Sequence, residues 1–156
     1  MSTLIKKAAL TDTDEILKLN KALFDFESQF GHDYNLDWTY SEEGKNYFQK
    51  RFESDLSIIL VAVDREKIIG YILAFIDSFS YRNTNPICEI ENMFLEEQYR
   101  SQRIGTMLIN EVKNQAKEKG AKKLRVGALA QNSEAIKFYH SLGLEDMNLY
   151  LESELL

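Results

Sequence analysis

The chain has 156 residues, of which 44% are hydrophobic and 12% aromatic, and this length and composition predict a single globular domain over residues 1–156. Twenty-five acidic against nineteen basic residues give a net charge of −6, which argues against nucleic-acid phosphates as a partner and favours cationic ones. No apolar run is long enough to cross a bilayer, and the charged N-terminus lacks the core of a signal peptide, so we expect a cytoplasmic protein without a membrane partner.

The first half of the chain predicts two helices followed by a hairpin. A short strand in "LIKKA" precedes a helix in "TDTDEILKLNKALFDFESQF", which Thr11 or Asp12 can cap. A second helix is predicted at 41–54, with Ser41 as its cap. The continuous β-branched and aliphatic runs "SIILVAV" and "KIIGYILAFI", separated by "DREK", indicate a hairpin that is buried on both faces.

The second half alternates strands and helices. A strand at 87–95 is followed by a helix from about 103 to 119, which Gly120 ends. Then "KKLRVGAL" predicts a strand, "NSEAIKFYHSL" a helix closed by Gly143, and "MNLYLES" a last strand. This order predicts an α/β or α+β domain with a mixed, partly parallel sheet of about six or seven strands flanked by about four helices.

The turn at 98–105, "QYRSQRIG", places Arg100 and Arg103 at the start of a helix. The N-terminal end of a helix ordinarily favours acids, so two cations at this point suggest a bound anion such as a phosphate. The turn lacks the glycines of a dinucleotide-binding G-x-G-x-x-G and is not a Walker P-loop. Two solvated arginines at a surface turn are the alternative reading.

The order of elements together with this turn resembles the GNAT superfamily of N-acetyltransferases, whose pyrophosphate-binding motif is R/Q-x-x-G-x-G/A. Residues 100–105, "RSQRIG", occupy that motif here, and "NSEAIKFYHSLGL" is similar to the family's N-x-x-A-x-x-F-Y-x-x-x-G-F segment. The resemblance covers nearly the whole chain. It implies acetyl-CoA as cosubstrate, no metal, transfer of an acetyl group to a primary amine, and a sheet that is splayed between its fourth and fifth strands.

The resemblance also implies which residues bind the cofactor. Backbone N–H groups of the turn are expected to hold the pyrophosphate, and the strand before it is expected to pair with pantetheine. The implied residues are Met93, Phe94, Leu95, Arg100, Ser101, Gln102, Arg103, Ile104, Gly105, Thr106 and Asn132. Arg103 replaces the first motif glycine, and an arginine can keep φ negative there and still offer its N–H. Asn132 can cap the last helix, bind pantetheine, or do both.

Attack of a neutral amine on a thioester needs one group that takes the amine proton and another that protonates the departing thiolate. Tyr139 is the expected acid, because many relatives carry a tyrosine there beside the coenzyme sulfur; packing in the core is the alternative. Glu91 is the candidate base, directly or through water, as some relatives carry a glutamate at this place. Glu89 has the same strand parity, and two nearby carboxylates would raise the pKa of one. A solvated strand edge is the alternative for both.

The resemblance does not fix the acceptor, although relatives build much of the acceptor wall from the segment around the first two helices. In this chain the region 25–43 mixes carboxylates with aromatic rings, which suits a cation. These residues are Asp25, Phe26, Glu27, Phe30, Asp33, Tyr34, Asp37, Trp38, Tyr40, Glu42 and Glu43. We therefore expect a small cationic amine, such as a polyamine or an aminosugar, with protein N-terminal or lysine acetylation as runner-up and a solvated acidic surface as the alternative.

Other classes of protein fit less well. A thiol hydrolase built on Cys88 and His140 lacks an orienting residue tied to the pair by a motif. The two histidines, His32 and His140, occur without clustered cysteines, so no metal site is expected. A non-catalytic coenzyme A sensor would keep the fold but lose the proton-transfer residues. The expected partner is a small-molecule amine, and the resemblance leaves room for a homodimer.

Overall fold

A computed structural model of the chain describes residues 2–31 and 33–156, so His32 lies outside the described residues. The strands are β1 (Leu4–Lys7), β2 (Ser57–Asp64), β3 (Lys67–Asp77), β4 (Ile87–Leu95) and β5 (Lys123–Val126). The α-helices are α1 (Thr13–Glu27), α2 (Glu42–Glu53), α3 (Ile104–Glu118) and α4 (Ser133–Ser141). The predicted order is confirmed as far as α4: a strand and two helices, then the hairpin, then a strand, a helix, a strand and a helix.

The described strands form one sheet in the order β1-β2-β3-β4-β5. All neighbours are antiparallel except β4 and β5, which are parallel, and this confirms the mixed, partly parallel sheet. The predicted number of six or seven strands is too high, because the sheet has five in the part of the chain described. The stretch "MNLYLES" at 147–153 forms no strand, since its backbone pairs with no edge of the sheet and alternation alone cannot supply a partner.

The helix starts follow local side-chain chemistry. Ser41 caps α2 as predicted, and its Oγ accepts a hydrogen bond from the N–H of Gly44 at 3.1 Å. A Cβ on Gly44 would lie 2.2 Å from the carbonyl oxygen of Trp38, so only glycine fits there. Asp12 precedes α1, but its carboxylate accepts from the N–H of Ala9 at 2.7 Å and closes a short 3-10 turn instead of capping α1.

The sheet is covered on both faces. On one face α3 packs Leu108, Ile109 and Val112 against the sheet in one buried cluster. On the other face α1 and α2 supply Ile16 and Phe48 to a second cluster. Since β2 and β3 lie between these layers, their continuous apolar sequence is explained by burial on both sides.

Two irregularities in β4 open the sheet. Pairing between β4 and β5 runs only from Ile87 to Ile90, so the rest of β4 pairs with β3 alone among the described strands, which confirms the predicted splay. Asn92 lies opposite Leu73 and Ile90 lies opposite Ala74, so Glu91 is an extra residue, a β-bulge. As a result Glu91 and Asn92 both reach Tyr47 on the α2 side of the sheet.

Candidate active site

The gap between the parted strands opens into a cavity of about 980 Å³. Its walls come from the C-terminal half of α1, the aromatic residues before and within α2, β4 from Glu89 onward, the turn before α3, and the first turns of α4. Most of the residues predicted to bind a cofactor or carry chemistry therefore face one space. Gln102 and Ile104 are not among the lining residues.

The turn before α3 departs from expectation in its backbone. Arg103 has φ 66 and ψ 6, in the left-handed region, so the expectation that it keeps φ negative is wrong. Ser101 is also left-handed, with φ 62. A side chain in this conformation costs about 1–2 kcal/mol relative to the right-handed region. The turn thus keeps the backbone shape that a glycine would adopt, although it carries an arginine.

The N-terminal end of α3 offers unpaired donors to the cavity. The first hydrogen bond of the helix runs from the N–H of Met107 to the carbonyl of Arg103 at 3.0 Å, which leaves the N–H groups of the preceding residues without acceptors inside the helix. These N–H groups and the positive end of the helix dipole form a site for an anion. Arg103 and Thr106 line the cavity beside them.

Packing explains Gly105. A Cβ at this position would lie 3.2 Å from the ring of Phe138 and 3.3 Å from the terminal methyl group of Met93, which is tighter than ordinary contact. The side chain of Ile104 is buried in the core, and that of Gln102 donates to the carbonyl of Gln98 at 3.0 Å. Gln102 and Ile104 can therefore serve a ligand through backbone N–H groups only.

Arg100 ties this turn to the end of β4. Its Nε donates to the carbonyl of Leu95 at 2.9 Å, and its guanidinium lies 4.6 Å from the ring centre of Phe26 and 5.2 Å from that of Phe94. These contacts are cation–π contacts as well as packing. Arg100 lines the cavity, but its Nε–H group is already bound to the carbonyl of Leu95 and its guanidinium already packs on Phe26 of α1.

Tyr139 projects from α4 into the cavity and is half-buried. Its hydroxyl makes no hydrogen bond with any residue that the structure describes. Burial, with a smaller effect of the Glu27 charge, raises the pKa of Tyr139 to about 12, so the phenol keeps its proton at neutral pH. Phe138 and Tyr139 both pack on the core cluster, and Phe138 also lies beside Gly105, so core packing accounts for both rings but leaves the Tyr139 hydroxyl without a described partner.

Asn132 occupies the start of α4. Its Oδ1 accepts from the N–H of Ala135 at 3.2 Å, which confirms the predicted cap. Asn132 also lines the cavity, so its amide remains a candidate contact for a ligand.

Glu91 is held firmly on its bulge. Arg51 donates from Nε to Oε1 at 2.6 Å and from Nη2 to Oε2 at 2.9 Å, and the hydroxyl of Tyr47 donates to Oε1 at 2.8 Å. A carboxylate offers about four lone-pair sites, so one on Oε2 remains for a further donor. Burial, with the charge of Glu91 adding to it, raises the pKa of Tyr47.

Sequence reasoning missed three partners in this cluster. Tyr47 and Arg51 are four residues apart and so share a face of α2, but nothing in the local sequence shows which residues they contact. Asn92 donates from Nδ2 to the Tyr47 hydroxyl at 2.9 Å. Its buried Oδ1 has no partner among the described residues, so an N–H of a ligand can use it.

Glu89 has a separate partner. It is paired with Arg125 of β5, whose Nε lies 3.1 Å from Oε2 of Glu89. Each of the two predicted wall acids is therefore paired with its own arginine, and both acids line the cavity. Arg125 also lies 4.7 Å from the ring centre of Phe79.

The acidic region 25–43 contributes unequally to the cavity. Of its six acids, all within the described part of the chain, only Glu27 is among the lining residues. Asp25, two residues earlier on α1, is instead paired with Lys21 at 2.6 Å. Burial, followed by the charge of Glu27 and a hydrogen bond with it, raises the pKa of Tyr34 to about 12.

Aromatic rings line the same end of the cavity. Phe24 stacks on Tyr34 with ring centres 4.9 Å apart and on Trp38 at 5.7 Å, and all three line the cavity together with Phe26. Four aromatic rings beside the carboxylate of Glu27 form a surface that attracts a cation through ring quadrupoles and charge.

The structure does not bring together the residues that a thiol hydrolase or a metal site would need among the described residues. Cys88 is fully buried, and burial raises the pKa of its thiol to about 11. His140 is exposed and hydrogen-bonded to Asp146 at 2.7 Å, so it does not activate that thiol. Among the described residues no group of three or more His, Cys, Asp or Glu side chains is placed to hold a metal ion. No described helix combines the length and the apolar character that a membrane crossing requires.

Residues 20–144 match the sequence model of the acetyltransferase (GNAT) family. The chain belongs to this family. The predicted class of enzyme, an acetyl-CoA-dependent N-acetyltransferase, is thereby confirmed. Among curated proteins, the thialysine N-epsilon-acetyltransferase of Mus musculus is 28% identical over 156 residues, which cover 94% of this chain and 86% of that protein.

Solved structures share the GNAT fold. The aminoglycoside acetyltransferase AAC(6')-Iy, solved with the bisubstrate analogue CoA-S-monomethyl-acetylneamine, superposes with a TM-score of 0.80 at 18% identity and covers 100% of this chain and 99% of that chain. A predicted acetyltransferase from Clostridium acetobutylicum, solved with acetyl-CoA, gives 0.79 at 23% identity and covers 98% and 96%. Because these sequence identities are below 25%, the two structures show a shared fold and nothing further about this chain.

Proposed function

We propose that this GNAT enzyme acetylates the primary amine of a small cationic acceptor, such as a polyamine or an aminosugar. One observation carries the proposal: the unpaired hydroxyl of Tyr139, the open N-terminal end of α3 and the carboxylates of Glu27 and Glu91 line one cavity. The names of the similar proteins are consistent with a small amine as acceptor, since one is a thialysine N-epsilon-acetyltransferase and another an aminoglycoside N-acetyltransferase.

The residues present fit acetyl-CoA. The N–H groups from Ser101 to Thr106 suit the pyrophosphate, and the splayed stretch of β4 from Met93 to Leu95 suits pantetheine, since β5 does not pair with it. The unsatisfied Oδ1 of Asn92 adds an acceptor for an amide N–H. When bound, acetyl-CoA supplies an acetyl thioester, and this chain orients it and moves the protons.

Two residues are proposed for proton transfer. Tyr139 holds its proton at neutral pH and can donate it to a departing sulfur, because no described residue competes for the hydroxyl. Glu91 is the candidate base. Arg51 and Tyr47 fix its orientation, and the remaining lone-pair site on Oε2 can accept an N–H of the ammonium or a hydrogen bond from a bridging water.

A panel of acceptors tests this function. Thiol release from acetyl-CoA is followed with diamines, polyamines, aminosugars, neutral amines and lysine-containing peptides, and the products are identified by mass spectrometry. We expect turnover with small cationic amines. A preference for peptides would favour the runner-up, a protein acetyltransferase. Binding of acetyl-CoA without thiol release from any acceptor would favour a coenzyme A sensor.

A further inference from the structure

A polar side chain lies on the buried face of α1. Ile16, Asn20 and Leu23 follow one another at helical spacing and are all buried, with Asn20 only 1% exposed. Asn20 also lines the cavity. A buried amide costs free energy unless its donors and acceptors find partners. The amide of Asn20 must therefore be matched by polar groups from neighbouring elements.

Those groups come from two elements that are distant in sequence. Asn20 donates from Nδ2 to the hydroxyl of Tyr71 on β3 at 3.0 Å, and its Oδ1 accepts from the hydroxyl of Thr39 at 2.7 Å. Tyr71 and Thr39 are both fully buried. We call these three residues the Asn20 network. It joins α1, the sheet and the 3-10 turn Trp38–Tyr40 through buried hydrogen bonds, which specify one arrangement of the three elements.

The turn that Thr39 anchors carries part of the cavity wall. Trp38 is half-buried, lines the cavity, and stacks on Phe24 with ring centres 5.7 Å apart. Its ring centre also lies 5.6 Å from that of Tyr47. Since Trp38 directly precedes Thr39, the hydrogen bond of Thr39 helps to set where the indole stands in the cavity.

The same turn also sets where α2 begins. The carbonyl of Trp38 accepts from the hydroxyl of Ser41, the cap of α2, at 2.6 Å. A Cβ on Gly44 would lie 2.7 Å from the carbonyl oxygen of Thr39, so the first turn of α2 rests directly on this backbone. A displacement of the turn would therefore move both Trp38 and the start of the helix that carries Tyr47.

We propose that Asn20 is a positioning residue for the acceptor amine. Through its bonds to Thr39 and Tyr71 it fixes the turn 38–40 and the start of α2 relative to the sheet, and so fixes the aromatic end of the cavity. The parts that suit acetyl-CoA are different ones: β4 at 93–95, the turn before α3, and α4. A disturbed network should therefore change acceptor binding and leave acetyl-CoA binding unchanged. The inference rests on the proposed function only in placing the acceptor beside Trp38.

Fluorescence tests the positioning directly, because Trp38 is the only tryptophan of the chain. Thr39→Val keeps the shape of the side chain but leaves Oδ1 of Asn20 without its donor. We expect acrylamide to quench Trp38 about twofold more efficiently in this variant than in the parent, since the turn is held less firmly. Thr39→Ser keeps the hydroxyl and should stay close to the parent. Ile109→Val is the control for a general loss of stability, because Ile109 is buried in the cluster on the opposite face of the sheet.

Kinetics test the effect on the acceptor, with whichever amine the acceptor panel identifies. Thr39→Val should raise KM for this amine about 10-fold, since a misplaced wall no longer orients it, while the Kd for acetyl-CoA stays constant by calorimetry. Thr39→Ser should restore KM. A network with a structural role alone would lower the free energy of unfolding, as Ile109→Val does, without separating the two ligands. An unchanged acceptor KM, or equal changes for amine and acetyl-CoA, would overturn the proposal.

Tyr71→Phe provides a second variant should Thr39→Val fail to fold. It removes the hydroxyl that accepts from Nδ2 of Asn20 and should give the same pattern of stronger quenching, higher acceptor KM and constant acetyl-CoA binding. Parent-like quenching in a folded variant would overturn the positioning role, whatever the acceptor is. If no amine of the panel is acetylated, the proposed function fails, and the quenching of Trp38 still decides whether the network holds the turn.

Discussion

Arg51 of α2 holds both carboxylate oxygens of Glu91 on the β4 bulge, at 2.6 and 2.9 Å. The guanidinium also lies 3.9 Å from the ring centre of Phe75, so it is fixed by packing as well as by charge. A planar guanidinium bound through two nitrogens fixes the plane of its partner carboxylate. The bulge, the helix and this pair together fix the position and orientation of the Glu91 carboxylate.

Glu91→Gln should lower kcat by about 10-fold to 100-fold, because the amide cannot take a proton from the amine. Glu89→Gln is the matched control: it lies two residues away on the same strand and also loses an arginine partner, Arg125. Steady-state kinetics on both variants and their urea unfolding give the comparison. Similar losses of stability with equal losses of kcat would indicate that Glu91 is structural and that another group is the base.

Tyr139→Phe should bind acetyl-CoA normally but lose about 100-fold or more in kcat, since the phenol proton is no longer available. Calorimetric binding and initial rates check this expectation. Unchanged turnover would exclude Tyr139 from the mechanism.

The free energy of unfolding of Tyr139→Phe should also depend on pH differently from that of the parent protein. The folded pKa of Tyr139, about 12, lies above its ordinary value of 10.0, so the protonated phenol favours the folded state fully below pH 10, and this stability is lost as pH rises toward 12. The loss is at most about 1.4 kcal/mol per pH unit for one proton. Urea unfolding between pH 9 and 11 should therefore show a smaller decline in Tyr139→Phe than in the parent. Parallel declines would contradict the burial of this hydroxyl.

Local signals in the sequence predicted much of this fold. Ser41, three residues before Gly44, predicted the start of α2 because a capping hydroxyl acts within one turn. The runs on either side of "DREK" predicted β2 and β3, since continuous apolar strands need cover on both faces. The motif around Tyr139 placed α4 and its hydroxyl at the cavity.

Features that depend on distant partners were not predictable. The bulge at Glu91 brings both Glu91 and Asn92 to Tyr47, and only pairing with β3 reveals it. Arg51 and Glu91 are 40 residues apart, so no local pattern links them. Alternation in 147–153 predicted a strand, but the backbone of this stretch pairs with no strand of the sheet, and alternation alone does not show whether such pairing occurs.

Cys88 should resist thiol reagents in the folded protein. The thiol is fully buried, and burial raises its pKa to about 11, so thiolate is scarce at pH 8 and access is blocked. Modification should proceed to one thiol per chain only in denaturant. Rapid reaction under native conditions would show that this part of β4 opens readily.

The effects of the left-handed backbone at residue 103 and of the Arg103 side chain can be measured separately. Arg103→Gly should be more stable than Arg103→Ala by about 0.5–1 kcal/mol, because glycine adopts φ 66 without the strain that alanine keeps. Urea unfolding measures the difference. Equal stabilities would mean that the turn relaxes to another conformation when the arginine is removed.

Both Arg103 variants should bind coenzyme A several-fold more weakly and with less salt dependence, since Arg103 lines the cavity and a charge-assisted contact is lost. Gln102→Ala is the control, because the Gln102 side chain donates to Gln98 instead. Calorimetric titrations at two salt concentrations give the result. Unchanged binding would assign the whole phosphate interaction to backbone N–H groups.

Glu27 provides the sharpest test of acceptor charge, because Glu27→Gln and Asp25→Asn remove the same charge from the same helix. Glu27 lines the cavity, whereas Asp25 is paired with Lys21 outside it. Glu27→Gln should raise KM for a diamine about 10-fold while KM for acetyl-CoA stays constant, since one charge-assisted contact with the acceptor is lost. The ratio of kcat/KM for a diamine over a monoamine of equal length should fall in this variant and stay unchanged in Asp25→Asn. A long-range field effect would change both variants alike, and it would also vanish with salt in both. If the diamine preference survives in Glu27→Gln, the acceptor charge is read elsewhere in the cavity, with Glu91 as the next carboxylate to substitute.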